Sequence, residues 1–159
     1  MVIWLTGESG VGKTTIANLL ALRIQLEWGA DVTVLDGDEL RTWLSRDLGF
    51  SREDRIENVR RAIDLAGLVV QNGRIAIVSM ISPHEGVRHV AKDFLGAIIV
   101  RVRCSLAVRA SRDPKGLYAK NTNFGEYEES ESYDIVIDTE SQPPSAVVES
   151  LLLSLSRNR

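Results

Sequence analysis

The chain has 159 residues, with 19 Lys plus Arg against 22 Asp plus Glu and a formal net charge of −3. An apolar share of 44% and a charged share of 26% belong to a soluble globular domain and exclude disordered, collagen-like and coiled-coil chains. A single cysteine, Cys104, cannot form an internal disulfide, no apolar run approaches the ~20 residues of a membrane span, and a mildly acidic total argues against nucleic-acid polymers as partners.

At roughly 150 residues per domain, residues 1–159 read as one domain, able to bury about 68–70% of its unfolded surface. The first residues lack a basic n-region and run straight into a motif, so no signal peptide is expected and a cytoplasmic setting is inferred. A first strand is predicted over 2–6, short and continuously apolar, as strands covered on both faces are. Next comes Gly7-Glu-Ser-Gly-Val-Gly-Lys13-Thr14, which fits G-x-x-x-x-G-K-[ST] and opens a helix over 13–28. The glycines let successive N–H groups point at phosphate oxygens, adding to the partial positive charge of the helix N-terminus. Lys13 brings a full charge to the outer phosphates, and the Thr14 hydroxyl can hold Mg²⁺. Strand, loop and helix together make a nucleoside triphosphate site.

The second strand, 31–36, ends in Leu35-Asp36-Gly37-Asp38 before a helix over 38–46. Carboxylates there face the phosphate loop, because ligands of open α/β sheets bind at the carboxyl ends of the strands. Asp36 can then orient Mg²⁺-bound water, and Asp38 can take the proton of an attacking hydroxyl. The bland alternative is that the pair only ends a strand and caps a helix. No Asn-Lys-x-Asp guanine motif occurs, and the strand at 74–80 ends without a carboxylate. Small-molecule kinase is therefore preferred over switch or motor.

The helix over 52–71 carries an apolar stripe of Ile56, Val59, Ile63, Ala66 and Val70. Ser51 with Asp54 resembles a capping box, and Asn72-Gly73 closes the helix. Arg55 and Asn58 flank the stripe and, with Arg41 and Phe50, suit an anionic flat substrate: guanidinium forks for the anion and a ring for a base. Arg60 and Arg61 read as a solvated face. Further on come a helix at 85–94, a strand at 97–103 and a helix at 106–112. Residues 113–133 break the pattern, with Pro114, Gly116, Gly125 and four glutamates, and read as a lid. Strand 134–138 and helix 146–156 complete an α/β alternation, which implies a five-stranded, mostly parallel sheet with helices on both faces. Cys104, His84 and His89 read as structural or solvated, because no partner pattern accompanies them.

Several blocks resemble the adenylylsulfate kinase family: the phosphate loop, Leu35-Asp-Gly-Asp-Glu-Leu-Arg41, Asp47-Leu-Gly-Phe-Ser-Arg-Glu-Asp-Arg55 with Glu57-Asn58, Ile81-Ser-Pro83, Arg112-Asp-Pro-Lys-Gly-Leu-Tyr118 and Ile135-Val-Ile-Asp-Thr139. They stand in family order and cover nearly the whole chain. The resemblance implies a P-loop kinase fold with a short lid, and transfer of the γ-phosphoryl group of ATP to the 3′-hydroxyl of adenylyl sulfate, with Mg²⁺ as cofactor. It implies ATP contacts at Gly7, Ser9, Gly10, Val11, Gly12, Lys13, Thr14 and Thr15, with Arg109 and Arg112 near the donor nucleotide. Lys13, Asp36 and Asp38 would be catalytic, and Thr14 and Asp36 would serve the metal. On the acceptor side, Asp38 would meet the reacting hydroxyl and Arg41, Arg55 and Asn58 the phosphosulfate. Ile81 and Ser82 would give backbone contacts, Phe50 and Phe124 would sandwich the adenine, and Lys120 would lie in the lid. A homodimer is implied as well.

This chain departs from the family at His84-Glu85-Gly86-Val87, where Tyr-Arg is usual, and in a shortened, acidic lid. The alternatives are a relative acting on another nucleotide-linked acceptor, or an ATP-binding module without turnover.

Overall fold

The computed structural model describes residues 1–112 and 127–157. Five strands form one sheet: β1 (Val2–Thr6), β2 (Val32–Asp36), β3 (Ile75–Ser79), β4 (Ile98–Arg103) and β5 (Ile135–Asp138). Their order is β2-β3-β1-β4-β5, and all four pairings are parallel, where the sequence predicted mostly parallel. The helices are α1 (Lys13–Trp28), α2 (Gly37–Trp43), α3 (Arg52–Gln71), α4 (Glu85–Leu95), α5 (Leu106–Ser111) and α6 (Pro144–Ser156).

Alternation along β1 explains why both faces are apolar. Ile3 and Leu5 join a core with Ile16, Leu20 and Ile24 of α1 and Leu151 and Leu155 of α6. Val2 and Trp4 point the other way, into Val59, Ala62 and Ala66 of α3 and Val87 and Ala91 of α4. A strand flanked by helices on both sides has no polar face to spare, which is why the strand stretches lack alternation.

α3 begins where the cap was expected, with the Ser51 side chain accepting from the Asp54 N–H. The reciprocal half differs. The Asp54 carboxylate accepts from the Gly49 N–H at 3.0 Å, so it fastens the preceding loop rather than the cap residue itself. Arg61 is also no solvated side chain: its guanidinium grips both Asp47 oxygens, at 2.6 and 2.8 Å, and donates to the Leu44 carbonyl and to Glu57. These ties hold the loop between α2 and α3, which carries Phe50, against the body of the domain. Of the lid predicted over 113–133, only 127–133 lie within the described residues. Among the described residues, no helix is long and apolar enough to cross a membrane.

Candidate active site

Strand register lines up the working residues at one edge. Asp36 pairs with Ser79, Ser79 with Leu5, and Thr6 with Arg101, so the carboxyl ends of β2, β3, β1 and β4 form one row. The phosphate loop leaves β1 at the middle of that row, the position at which open α/β sheets place ligands.

Gly7, Gly10 and Gly12 have φ of 152°, 80° and 91°. At Gly7 the need for glycine is steric as well: a Cβ would sit 2.2 Å from the Val102 carbonyl oxygen. Lys13 is buried rather than solvent-facing, and its ammonium donates to the Gly7 and Glu8 carbonyls at 2.9 and 2.8 Å. The charge is thereby held across the mouth of the loop. Thr14 and Thr15 are exposed on the first turn of α1, and Val11 is fully buried beneath the loop.

The Thr14 hydroxyl donates to Asp36 Oδ2 at 2.8 Å, and the Ser79 hydroxyl donates to the same oxygen at 3.2 Å. Asp36 Oδ1 accepts the Asp38 N–H at 2.9 Å, making Asp36 the cap of α2. The capping reading and the site reading of Asp36 are thus both satisfied, since one carboxylate oxygen caps and the other meets Thr14. Asp38 projects exposed from the first turn of α2, three residues before Arg41.

Arg41 and Arg55 converge on Phe50. Their guanidinium carbons lie 4.5 and 5.7 Å from the ring centroid, and the ring is 70% exposed. Backbone carbonyls orient both arginines: Arg41 donates to Gly49 at 2.7 Å, and Arg55 to Phe50 at 3.0 Å. Burial lowers the proton affinity of each guanidinium, and for Arg55 the nearby charge of Arg41 lowers it further. Two cations held this way favour an anion between them. Asn58 is 4% exposed, and its Oδ1 has no hydrogen-bond partner among the described residues, which costs about 1–3 kcal/mol for a buried acceptor.

Arg109 and Arg112 flank the loop on the far side. Arg109 pairs with Glu8 at 2.8 Å, and its carbonyl lies where a Cβ on Gly10 would approach to 3.0 Å. Arg112 donates to the Thr139 hydroxyl and carbonyl, and that hydroxyl donates to the Val11 carbonyl at 2.7 Å. Ile81 and Ser82 follow β3 and are tied to β1 and α4. The Ile81 carbonyl accepts the Thr6 hydroxyl, the buried Ser82 hydroxyl accepts the Trp4 indole N–H, and the Ser82 carbonyl accepts Arg88. Lys120 and Phe124 lie outside the described residues.

Residues that sequence reasoning passed over cluster behind this row. Tyr127, Glu128 and Glu129, read as part of an acidic lid, dock on the body. The Tyr127 hydroxyl meets Thr6 Oγ1 at 2.9 Å, and Glu129 pairs with the buried Arg101. Glu128 accepts from His84 at 3.0 Å and from the Glu85 N–H at 2.8 Å, and its carbonyl accepts Arg88. His84 is therefore structural, as one of the two readings had it, through a partner that no sequence pattern revealed. A charged residue inside a two-faced strand was the available signal for Arg101; the composition of 126–131 gave none for the docking.

The His84 hydrogen bond, followed by the Glu85 N–H, holds the Glu128 carboxyl down at about 2, from an ordinary 4.5. A folded value below the unfolded one means that this docking stabilises above about pH 4.5 and is lost as pH falls toward 2. Thermal melts of wild type and Glu128→Gln should therefore differ at pH 6, with the gap narrowing below about pH 4.5 and closing near pH 2; a gap as wide at pH 2 as at pH 6 would show that the carboxylate charge is not what docks the segment.

Residues 1–142 match the adenylylsulphate kinase family. The adenylyl-sulfate kinase of Bacillus pumilus is 46% identical over 151 residues, which cover 87% of this chain and 76% of that one. Among solved structures, the APS kinase of Mycobacterium tuberculosis in complex with AMPPNP and APS superposes with a TM-score of 0.91 at 33% identity, over 98% of this chain and 96% of that one. A hexameric APS kinase from Thiobacillus denitrificans has a TM-score of 0.78 at 30% identity, and this chain spans 29% of its length.

Proposed function

The chain belongs to the adenylylsulfate kinase family, and from that premise we propose that it transfers the γ-phosphoryl group of ATP to the 3′-hydroxyl of adenylyl sulfate. The observation that supports this reading is the position of Asp38 on the first turn of α2, bonded through its N–H to Asp36, whose other oxygen meets Thr14, and three residues before Arg41. Thr14 belongs with the phosphate loop and Lys13, and Arg41 with a paired-arginine pocket bearing an exposed ring. The solved relative that holds AMPPNP and APS together supports the same two-subsite layout.

In this mechanism the adenylyl sulfate anion lies against Arg41 and Arg55, with its base on Phe50 and a polar group at Asn58. Asp38 accepts the proton of the 3′-hydroxyl as that oxygen forms its bond to the γ-phosphorus. The bond from the γ-phosphorus to the bridging oxygen of ADP breaks, and Lys13 and the loop N–H groups compensate the charge on the transferring group. Arg109 and Arg112 border the donor side.

The donor set suits Mg²⁺: two hydroxyls and one carboxylate offer hard oxygen atoms only. Among the described residues no group of three His, Cys, Asp or Glu could hold a metal, so most of the ion's oxygens would come from phosphates and water. Thr14 would hold it directly and Asp36 through water, and when bound it would neutralise the β- and γ-phosphate oxygens. A homodimer, as the resemblance implies, is also proposed; the hexameric relative makes the mass in solution the deciding quantity.

Mass spectrometry tests the reaction. With ATP and Mg²⁺, adenylyl sulfate should gain one phosphoryl group, whereas its 3′-deoxy analogue should not react; phosphorylation of the analogue would move the acceptor atom. Arg55→Ala separates the subsites. Loss of a charge-assisted hydrogen bond of about 1.5–3 kcal/mol should raise the adenylyl sulfate KM roughly 10- to 150-fold. The ATP KM should hardly move, and if it rises instead, donor and acceptor sides are exchanged.

A further inference from the structure

Arg101 stands where a charge is least expected, on a central strand covered by helices, with its side chain 5% exposed. Its guanidinium is fully engaged. Nη1 donates to Glu8 Oε2 at 2.7 Å and to the Val102 carbonyl at 2.8 Å, while Nη2 and Nε reach Glu129 at 2.5 and 3.3 Å. The Tyr127 ring lies 4.1 Å from its guanidinium carbon. Glu8 is the second residue of the phosphate loop, and its other oxygen holds Arg109 at 2.8 Å. Arg101 also closes the space beside Gly7, where its Nη1 would lie 2.8 Å from a Cβ.

Burial pushes the Glu8 carboxyl up, yet the Arg101 hydrogen bond and the two guanidinium charges outweigh it and hold it below its ordinary value. Two arginines and two carboxylates make a neutral cluster that joins the loop to residues 127 and 129.

We propose that Arg101 is a positioning residue of the donor site, which fixes the phosphate loop through Glu8 and Gly7 and is itself braced from outside by Glu129 and Tyr127. This rests on the reading that the loop binds ATP. The loop is a chain of glycines whose N–H directions decide phosphate binding, so its conformation has to be imposed by neighbours. Glu8 can impose it only while its own partner is fixed. A planar fork held on both edges supplies that rigidity, which a lysine ammonium at the same place cannot. Among the described residues Glu129 bonds Arg101 twice and otherwise accepts only from the Tyr133 hydroxyl at 3.2 Å, so Arg101 is the direct link by which it acts on the loop.

The test measures the Kd of adenylyl imidodiphosphate with Mg²⁺ by calorimetry, which needs neither acceptor nor turnover. Arg101→Lys should weaken binding about tenfold, the equivalent of roughly 1.4 kcal/mol, with the adenylyl sulfate KM unchanged. Glu129→Gln, at a side chain 64% exposed, guards against a folding defect in the first variant and should weaken binding about threefold. In the double variant the Glu129→Gln effect should vanish, because the path it acts through is already cut. Unchanged affinity in both single variants would overturn the proposal, as would full additivity. Tighter binding in Glu129→Gln would overturn it too, since the cluster would then act only as net charge on the triphosphate. Failure of the wild-type protein to bind the analogue at all would instead remove the ATP reading itself.

Discussion

Lys13→Ala should lower kcat for phosphoryl transfer by ~10²–10³, the usual loss when a preorganised charge is removed from a transition state. The ammonium is fixed in place before any substrate arrives, by two loop carbonyls at 2.9 and 2.8 Å. It need not be reorganised as charge moves onto the transferring group, which is what makes a positioned cation effective. The variant frees the buried Gly7 carbonyl and the Glu8 carbonyl, which water can reach through the space the lysine side chain vacates, so the domain should stay folded. Steady-state ADP release together with a thermal melt checks both halves. Near-normal turnover in a folded variant would take the phosphate-loop lysine out of the mechanism.

Asp38→Asn should lower kcat by about 10²–10⁴ while leaving ATP affinity within a few-fold, as removal of a general base does. The side chain is exposed at the start of α2, and its backbone N–H, not its carboxylate, completes the cap with Asp36. Asparagine keeps the size and the helix position, so a large rate loss would come from the missing base. Pre-steady-state measurement at saturating ATP isolates that step, and a kcat within threefold of wild type would reduce Asp38 to a surface residue of the helix.

Much of this was legible in the residues. Continuous Val and Ile runs place all five strands, because a sheet covered on both faces leaves no alternating polar register. The glycine spacing and Lys13-Thr14 place the loop, and the two carboxylates after β2 follow from where a parallel sheet puts its carboxyl ends. Arg41, Phe50 and Arg55 do come together, although the arginines contact the ring itself and donate to backbone carbonyls of the same loop. What stayed hidden depends on contacts distant in sequence. Arg101 meets Glu8 across 93 residues, and Arg52 and His84 meet Glu128 across 76 and 44. Local pattern reports which face a side chain takes, not which partner awaits it there. A run of glutamates looks solvated for the same reason, since its docking partners are a buried guanidinium, a backbone N–H and an imidazole from other elements.

The central claim is transfer to an acceptor held at the arginine pair, and the most direct measurement is ADP release with Mg²⁺-ATP in the presence and absence of adenylyl sulfate. The account predicts ADP formed in a one-to-one ratio with adenylyl sulfate consumed and almost none without it. ADP released at the same rate with and without adenylyl sulfate, or none in either case from protein that binds ATP, would contradict it.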